Sequence, residues 1–369
     1  MPRLKIDNDY LGARLAELLA IPSPPGYTDK VVRACSAELG RLGVKFELTR
    51  RGAIRAIYPG AQTQAARAIV SHLDTIGAQV KYVKDNGRLE LLPSGHWSAR
   101  FAEGARATVF TDKGGYRGTI MPLKASGHTF HQEVDTQPVG WEYVELRIDA
   151  LARSSREVDR LGIEIGDIVA IDPQPEFLDN GFIISRHLDN KGGVAVMLAA
   201  IEAMRRDNLE TPVDIHWLFT IEEETGIGAS SILSHDVAAM VAVDNGTTAP
   251  GQNSSEFGVT VAMADTTGPF DYHLTHHLLA LCKEFGVPHQ RDVFRYYRSD
   301  SAAAVEAGND IRAALITFGI DASHGYERIH VDALVALAQL LVVYAQNRPV
   351  AARDRFDLGP PEGLPLQHP

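Results

Sequence analysis

Three consecutive carboxylates, Glu222, Glu223 and Glu224, follow the apolar run Val213 to Ile221 and precede Thr225-Gly226. A continuously apolar run reads as a strand buried on both faces, and acids where it stops belong at the rim of a sheet, in the crevice where open α/β folds hold ligands. In an extended chain Glu222 and Glu224 point one way and Glu223 the other, so Glu223 and Glu224 share a site only if the backbone bends between them. An isolated acid triplet is most often a solvated loop. Here four further places offer metal-competent side chains: His72-Leu73-Asp74, Asp189-Asn190, Asp244 in Val243-Asp244-Asn245-Gly246, and His324 in Ser323-His324-Gly325-Tyr326-Glu327. A lone His or Asp at a strand end is commonly a hydrogen-bonded loop residue. All five places lie at or just past predicted strand ends or in loops of one α/β sheet, and such a set converges on one rim.

Two imidazoles and several carboxylates make a nitrogen/oxygen donor set that suits two divalent ions, zinc first, with cobalt or manganese as competitors, and excludes a thiolate site. Carboxylates from Asp189, Glu224 and Asp244 plus one hydroxide neutralise such a pair, and His72 and His324 complete the ligation. A bridging carboxylate holds two ions roughly 3.5–4 Å apart and so clamps both the attacking hydroxide and the developing oxyanion. Glu223 is left as the general base, moving a proton from the attacking water to a leaving amine. Asp74, two residues past His72, is placed to accept the hydrogen bond from the non-ligating nitrogen of that imidazole and fix its tautomer. His324 is preferred to His330, because His330 stands at the start of the final helix, where capping or packing is its expected role.

The elements that must position these groups alternate. Helices are predicted from Asp9 to Ala20 and from Thr28 to Leu42, then strands at Val44–Thr49, Ala53–Tyr58 and Ala66–Ser71. From about Ala78 to Pro175 the chain changes to short alternating runs broken by glycine turns, the mark of a small β-rich unit, with one short helix capped by Ser154 and Glu157. The α/β pattern resumes with a helix at Lys191–Arg206, strands at Val213–Ile221, Met240–Asp244, Gly258–Ala264 and Ala313–Phe318, and helices at Asp271–Phe285, Ser299–Ala307 and Val331–Gln346. The fold class is therefore α/β with an inserted β-rich domain. Residues 1–77 and 178–346 make the catalytic α/β domain, residues 78–177 the insertion, and residues 347–369 a tail with five prolines that is expected to be poorly ordered.

Composition narrows the function. The chain has 369 residues, 45% hydrophobic and 22% charged, with a formal net charge of -11. That charge argues against a nucleic-acid binder and against an anionic membrane surface. No stretch reaches the length of a membrane span, the start carries no apolar signal core, and the two cysteines, Cys35 and Cys282, lie far apart. A cytoplasmic, thiol-reduced protein is the simplest expectation.

The order His-x-Asp, Asp-Asn, Glu-Glu-x-Gly, Asp, His, with a β-domain inserted after the first motif, resembles the dizinc aminopeptidases of metallopeptidase family forty-two, the tetrahedral, deblocking or glutamyl aminopeptidases. The resemblance covers roughly residues 5 to 346. It implies a three-layer α/β/α zinc-peptidase sandwich whose insertion builds dimers and dodecameric shells. It also implies that Asp189 bridges two zincs, that His72 and Asp244 complete one site and Glu224 and His324 the other, and that Glu223 is the base acting on short peptides. The segments Gly251–Gly258, Arg295–Asp300 and Ser323–Arg328 are similar to the branch associated with the osmoprotectant N-acetylglutaminylglutamine amide. An N-acyl amino-acid or amide deacylase using the same metals is the alternative enzyme, and a metal-stabilised assembly protein without turnover is the non-enzyme alternative. A glycosidase built on paired acids leaves the two imidazoles unexplained.

Overall fold

The apolar runs pair into one nine-stranded sheet, ordered Lys45–Leu48, Ile54–Tyr58, Ile215–Thr220, Ala66–His72, Val237–Thr247, Arg312–Ile320, Val259–Asp265, Gly268–Pro269, with His289–Val293 also pairing to Val259–Asp265. The structure is a computed structural model that describes residues 5–356 and 358–367, so the extreme ends of the expected first and last segments lie outside it. The centre of the sheet is parallel, from Ile215–Thr220 through Ala66–His72 and Val237–Thr247 to Arg312–Ile320. Every residue of Ala66–His72 and Ile215–Thr220 is buried, as parallel strands covered on both faces require. Register does the positioning. Thr220 lies opposite His72 and Ala242 opposite Val70, so His72, Asp244 and the Glu222–Glu224 turn emerge at the same carboxyl-terminal rim.

The helices Leu188–Arg206, Tyr272–Phe285 and Val331–Gln346 pack against this sheet, Val331–Gln346 touches the other two, and Asn8–Leu19 packs on Leu188–Arg206. Leu188–Arg206 is almost wholly buried, and its small residues allow the approach. A Cβ added at Gly192 would sit 3.0 Å from the buried ring of Phe318. The inserted segment forms a closed six-stranded barrel, Gly77–Val83, Leu89–Ser94, Val144–Ile148, Gly114–Pro122, Arg106–Thr111 and Ile168–Ile171. Closure removes exposed strand edges, and the barrel has its own apolar centre around Val80, Leu91, Val109, Ile120, Leu146 and Val169. The whole is an α/β sandwich plus a small β-unit, the fold class expected from the sequence. Among the described residues no helix is long and apolar enough to cross a membrane.

Three details differ from expectation. Strand Val237–Thr247 runs three residues past each end of Met240–Asp244, because its parallel pairing with Arg312–Ile320 continues through polar positions to Thr247 opposite Ile320. The barrel segment carries further short helices, including Gly127–Phe130 and Glu133–Thr136, too short to leave a periodic signal. The tail is pinned where it begins: Asp354 accepts from Arg312 at 2.8 and 2.9 Å, and the 3-10 turn Ala352–Arg355 forms there.

One ion-pair cluster carries a stability prediction. Glu38 is buried between helices and accepts from Tyr10, Arg14 and Arg41. Burial alone would raise its pKa, but Arg41, Tyr10 and Arg14 together hold it below the ordinary glutamate value. A depressed folded-state pKa contributes stability above the unfolded value, and that contribution is lost as pH falls through the folded one. Glu38→Gln is expected to cost about 1.5–3 kcal/mol near neutrality, the range for hydrogen bonds to a charged group. The difference from wild type in urea denaturation should shrink as pH falls below 4.5, the ordinary value of the group. A difference that stays constant with pH would show that the charge does not contribute.

Candidate metal centre

His72 ends its strand with only 2% of its side chain exposed. Its Nδ1 lies 3.0 Å from the carbonyl oxygen of Asp74. A carbonyl only accepts, so Nδ1 is committed as a donor and Nε2 is the ring nitrogen turned to the rim, where a cation would take the place of its proton. That Nε2 is 3.3 Å from Asp189 Oδ1, 3.6 Å from Glu223 Oε2 and 3.8 Å from Asp244 Oδ1. The other expected imidazole is arranged the same way. His324, in a loop position with φ of 64°, donates from Nδ1 to the carbonyl of His96 at 2.9 Å, and its Nε2 is 3.2 Å from Asp189 Oδ2 and 3.3 Å from Glu224 Oε2. Asp189 thus turns one carboxylate oxygen toward each imidazole.

Local structure explains why Asp189 can do this. Asp189 and Asn190 have non-helical torsions at the head of Leu188–Arg206, and the peptide between them is cis. Asn190 donates to Val243 O at 2.8 Å and accepts from Gly193 N at 3.1 Å, tying this turn to the strand that ends in Asp244. Asp189 N donates to Glu327 Oε2 at 3.2 Å, while Glu327 Oε1 accepts from His324 N at 2.9 Å. One buried glutamate therefore sets both the Asp189 and the His324 loops. Glu327 is absent from the site residues expected from the sequence; its place three residues past His324 is the signal that points to it.

The glutamate turn departs from expectation in where it bends. The chain turns at Glu222, whose φ is 65°, and the Glu222 carboxylate leaves the site to pair with Arg51. The Asp74 carboxylate has a different role from the tautomer-fixing one expected of it. Its carboxylate accepts from Glu223 N and Glu224 N, each at 3.1 Å, whereas Asp74 Oδ1 is 3.6 Å from His72 Nδ1; the His72 proton goes to the Asp74 backbone instead. Glu224 is 4% exposed and faces Asp189 and His324, and Glu223 is 14% exposed and faces the cleft.

The charges are out of balance in a way that calls for cations. Burial, with Asp244, Asp300 and Glu224 added, raises Glu223 well above the ordinary carboxylate range against the pull of His72. Burial likewise raises Glu224, and burial with Asp189 pushes Asp244 up to about 7. Asp189 is held low despite burial, by His324 and His72. Burial opposes charge on His324 as well, yet Glu224 and Asp189 push it up to about 12. Two carboxylate oxygens, Asp189 Oδ1 and Glu224 Oε1, are buried with no hydrogen-bond donor. Single ligand atoms of His72, Asp189 and Glu224 lie within 4.8 Å of one another. Buried carboxylate oxygens without donors, beside two imidazole Nε2 atoms whose protons a cation can displace, fit divalent ions.

The site opens into a cleft of about 710 Å³ walled by His96, Glu223, Tyr296, Tyr297, Arg298 and Asp300 among others. Asp300 is 3% exposed and accepts from Thr220 Oγ1 at 2.5 Å and Ala229 N at 2.7 Å, so it braces the segment after the glutamate turn. The Tyr297 hydroxyl lies buried beside Asp244, and burial with that carboxylate raises its pKa well above the usual phenol value. His330 does not enter the site. Its Nδ1 accepts from Asp332 N at 3.1 Å at the start of Val331–Gln346, and its Nε2 lies 3.0 Å from Asn180 O.

Comparison with known proteins agrees with this architecture. The family model described as M42 glutamyl aminopeptidase matches residues 52–340. The Bacillus subtilis protein YhfE is 35% identical over 334 residues, covering 90% of this chain and 96% of its own length. Among solved structures, a TET aminopeptidase from a marine-sediment thaumarchaeon has a TM-score of 0.83 at 18% identity, covering 92% of this chain and 96% of that one. The Pyrococcus horikoshii TET1 peptidase, which can assemble into a tetrahedron or a large octahedral shell, has a TM-score of 0.80 at 20% identity, covering 91% and 99%.

Proposed function

Because the chain belongs to the M42 glutamyl aminopeptidase family and is a metallo-aminopeptidase, we propose that it removes N-terminal residues from short peptides with two divalent ions, zinc by preference. The observation that carries this reading is Asp189, with one oxygen toward His72 Nε2 and the other toward His324 Nε2. In this reading Asp189 bridges, His72 and Asp244 complete one site, and Glu224 and His324 complete the other. Ions so held would lower the pKa of the attacking water and polarise the scissile carbonyl. Glu223, turned to the cleft, takes the proton from that water and delivers it to the leaving amine. Asp74 is a positioning residue: its carboxylate holds the Glu223 and Glu224 amides, so base and ligand keep a fixed spacing. Glu327 does the same for the Asp189 and His324 backbones.

The same reading takes the protein as a cytoplasmic homo-oligomer assembled through residues 78–177. Two free, buried cysteines suit a reducing compartment, and the likeness in fold to a shell-forming peptidase suits assembly. The link to the osmoprotectant branch draws support from Tyr296 to Asp300 and Ser323, which come from the segments carrying that resemblance and line the cleft. The test is a comparison of free and N-acetylated dipeptides, with and without chelation. Free dipeptides should be cleaved, acetylated ones far more slowly, and a chelator should abolish turnover until Zn²⁺ is restored. Faster cleavage of acetylated substrates would make the protein a deacylase, and turnover that survives chelation would remove the metals from the mechanism.

A further inference from the structure

A second group of donors sits at the opposite, amino-terminal end of the central strands. Asp214 precedes Ile215–Thr220, His216 lies within it, and Asp236 immediately precedes Val237–Thr247. Those two strands flank Ala66–His72, whose first amides donate to the carbonyls of Asp236 and Asp214. One ligand atom each from Asp214, His216 and Asp236 falls within 4.8 Å of the others.

The imidazole is what makes this more than a pair of acids. His216 is 3% exposed, and its Nε2 is buried with no hydrogen-bond partner. Its Nδ1 is 3.2 Å from Ser234 Oγ, and Ser234 Oγ is 2.5 Å from Asp236 Oδ1. The carboxylate can only accept, so the serine proton goes to Asp236 and Nδ1–H donates to the serine oxygen. Nε2 then presents a lone pair, 3.3 Å from another lone pair on Asp236 Oδ2. Two acceptors face each other with no proton between them, which an ion resolves. Burial, with Arg55 added, lowers the pKa of His216 against Asp236 and Asp214, in keeping with a neutral imidazole. Asp214 has one oxygen engaged, accepting from Gly60 N at 2.7 Å. The Arg55 Nε is occupied by Ile232 O at 3.0 Å. Asp236 lines a surface cleft of about 610 Å³ through which water can complete a coordination sphere.

We propose that Asp214, His216 and Asp236 form a separate site for a divalent first-row cation, of the Mn²⁺ or Zn²⁺ type, that clips the starts of two strands together across the entry of Ala66–His72. One imidazole and two carboxylates match that class of ion. The Ser234 relay is the tautomer-fixing partner that metal-binding histidines use. The site is remote from the peptidase chemistry and does not depend on it.

The full chain is dialysed against MnCl₂ and its metal content measured, in parallel with crystals soaked in MnCl₂ and examined by anomalous scattering. Wild type is expected to hold one ion per chain more than Asp236→Asn, with unchanged dipeptide turnover and a Mn²⁺-dependent rise in melting temperature that the variant lacks. An anomalous peak should lie beside His216 Nε2. His216→Gln tests the same loss, and Asp236→Asn, at a partly exposed position, guards against misfolding of the buried variant. Equal metal content in wild type and Asp236→Asn, with no peak at Nε2, would overturn the site whatever the catalytic centre holds.

Discussion

Glu223→Gln lowers kcat on dipeptides by about 10²–10⁴-fold, the usual contribution of a positioned general base, and leaves metal content at the wild-type value. The two halves of that expectation come from different observations. Glutamine keeps the shape and the hydrogen bond from the residue-223 amide to Asp74, so the turn that also carries Glu224 stays in place. Glu223 faces the cleft, and its nearest imidazole contact, 3.6 Å, is longer than those Asp189 makes to either ring. Steady-state kinetics beside metal analysis reads both. Retained turnover would dismiss Glu223 as the base, and loss of an ion would make it a ligand.

Asp189→Asn is expected to fail differently, losing metal and rate together. An amide keeps the volume but cannot bring a negative charge to both imidazole-bearing sites. Metal content should fall by about two ions per chain, those of the peptidase centre, and kcat/KM should fall at least about 10³-fold, several kcal/mol of transition-state stabilisation. The fold should persist, because the Glu327 contact is to the Asp189 backbone. Circular dichroism matching wild type separates this outcome from unfolding. A variant that keeps both ions would dismiss Asp189 as the bridge.

These residues were legible because strand ends advertise themselves. An apolar run followed by His72, Glu222 or Asp244 marks both the strand and the rim, and parallel register then brings the rims together. The partners of the imidazoles were much less visible. The atom that takes the His72 proton is the backbone of Asp74, and the one that takes the His324 proton is the backbone of His96. Every residue has a carbonyl, so no pattern of side chains distinguishes these two. Glu327 was hidden for a different reason. Its two acceptors reach one amide three residues away and another 138 residues away, and only the small sheet pairing Glu327–His330 with Phe182–Ser185 brings the latter near. The pairing of Asp354 with Arg312 was equally invisible, because a lone carboxylate in a proline-rich tail carries no pattern that names its partner.

The hydrogen bond from His324 to the His96 carbonyl has an evolutionary consequence. His96 follows the barrel strand Leu89–Ser94, and Gly95, with φ of 87°, brings the chain so near that an added Cβ would lie 3.4 Å from Glu224. The inserted barrel is therefore not an interchangeable accessory. A lineage that remodels its barrel must preserve the short strip Gly95–Trp97 or forfeit the tautomer of His324. A chimera joining one relative's barrel to another's sandwich inherits the same constraint, because the seam between the two units runs through a histidine proposed here as a metal ligand.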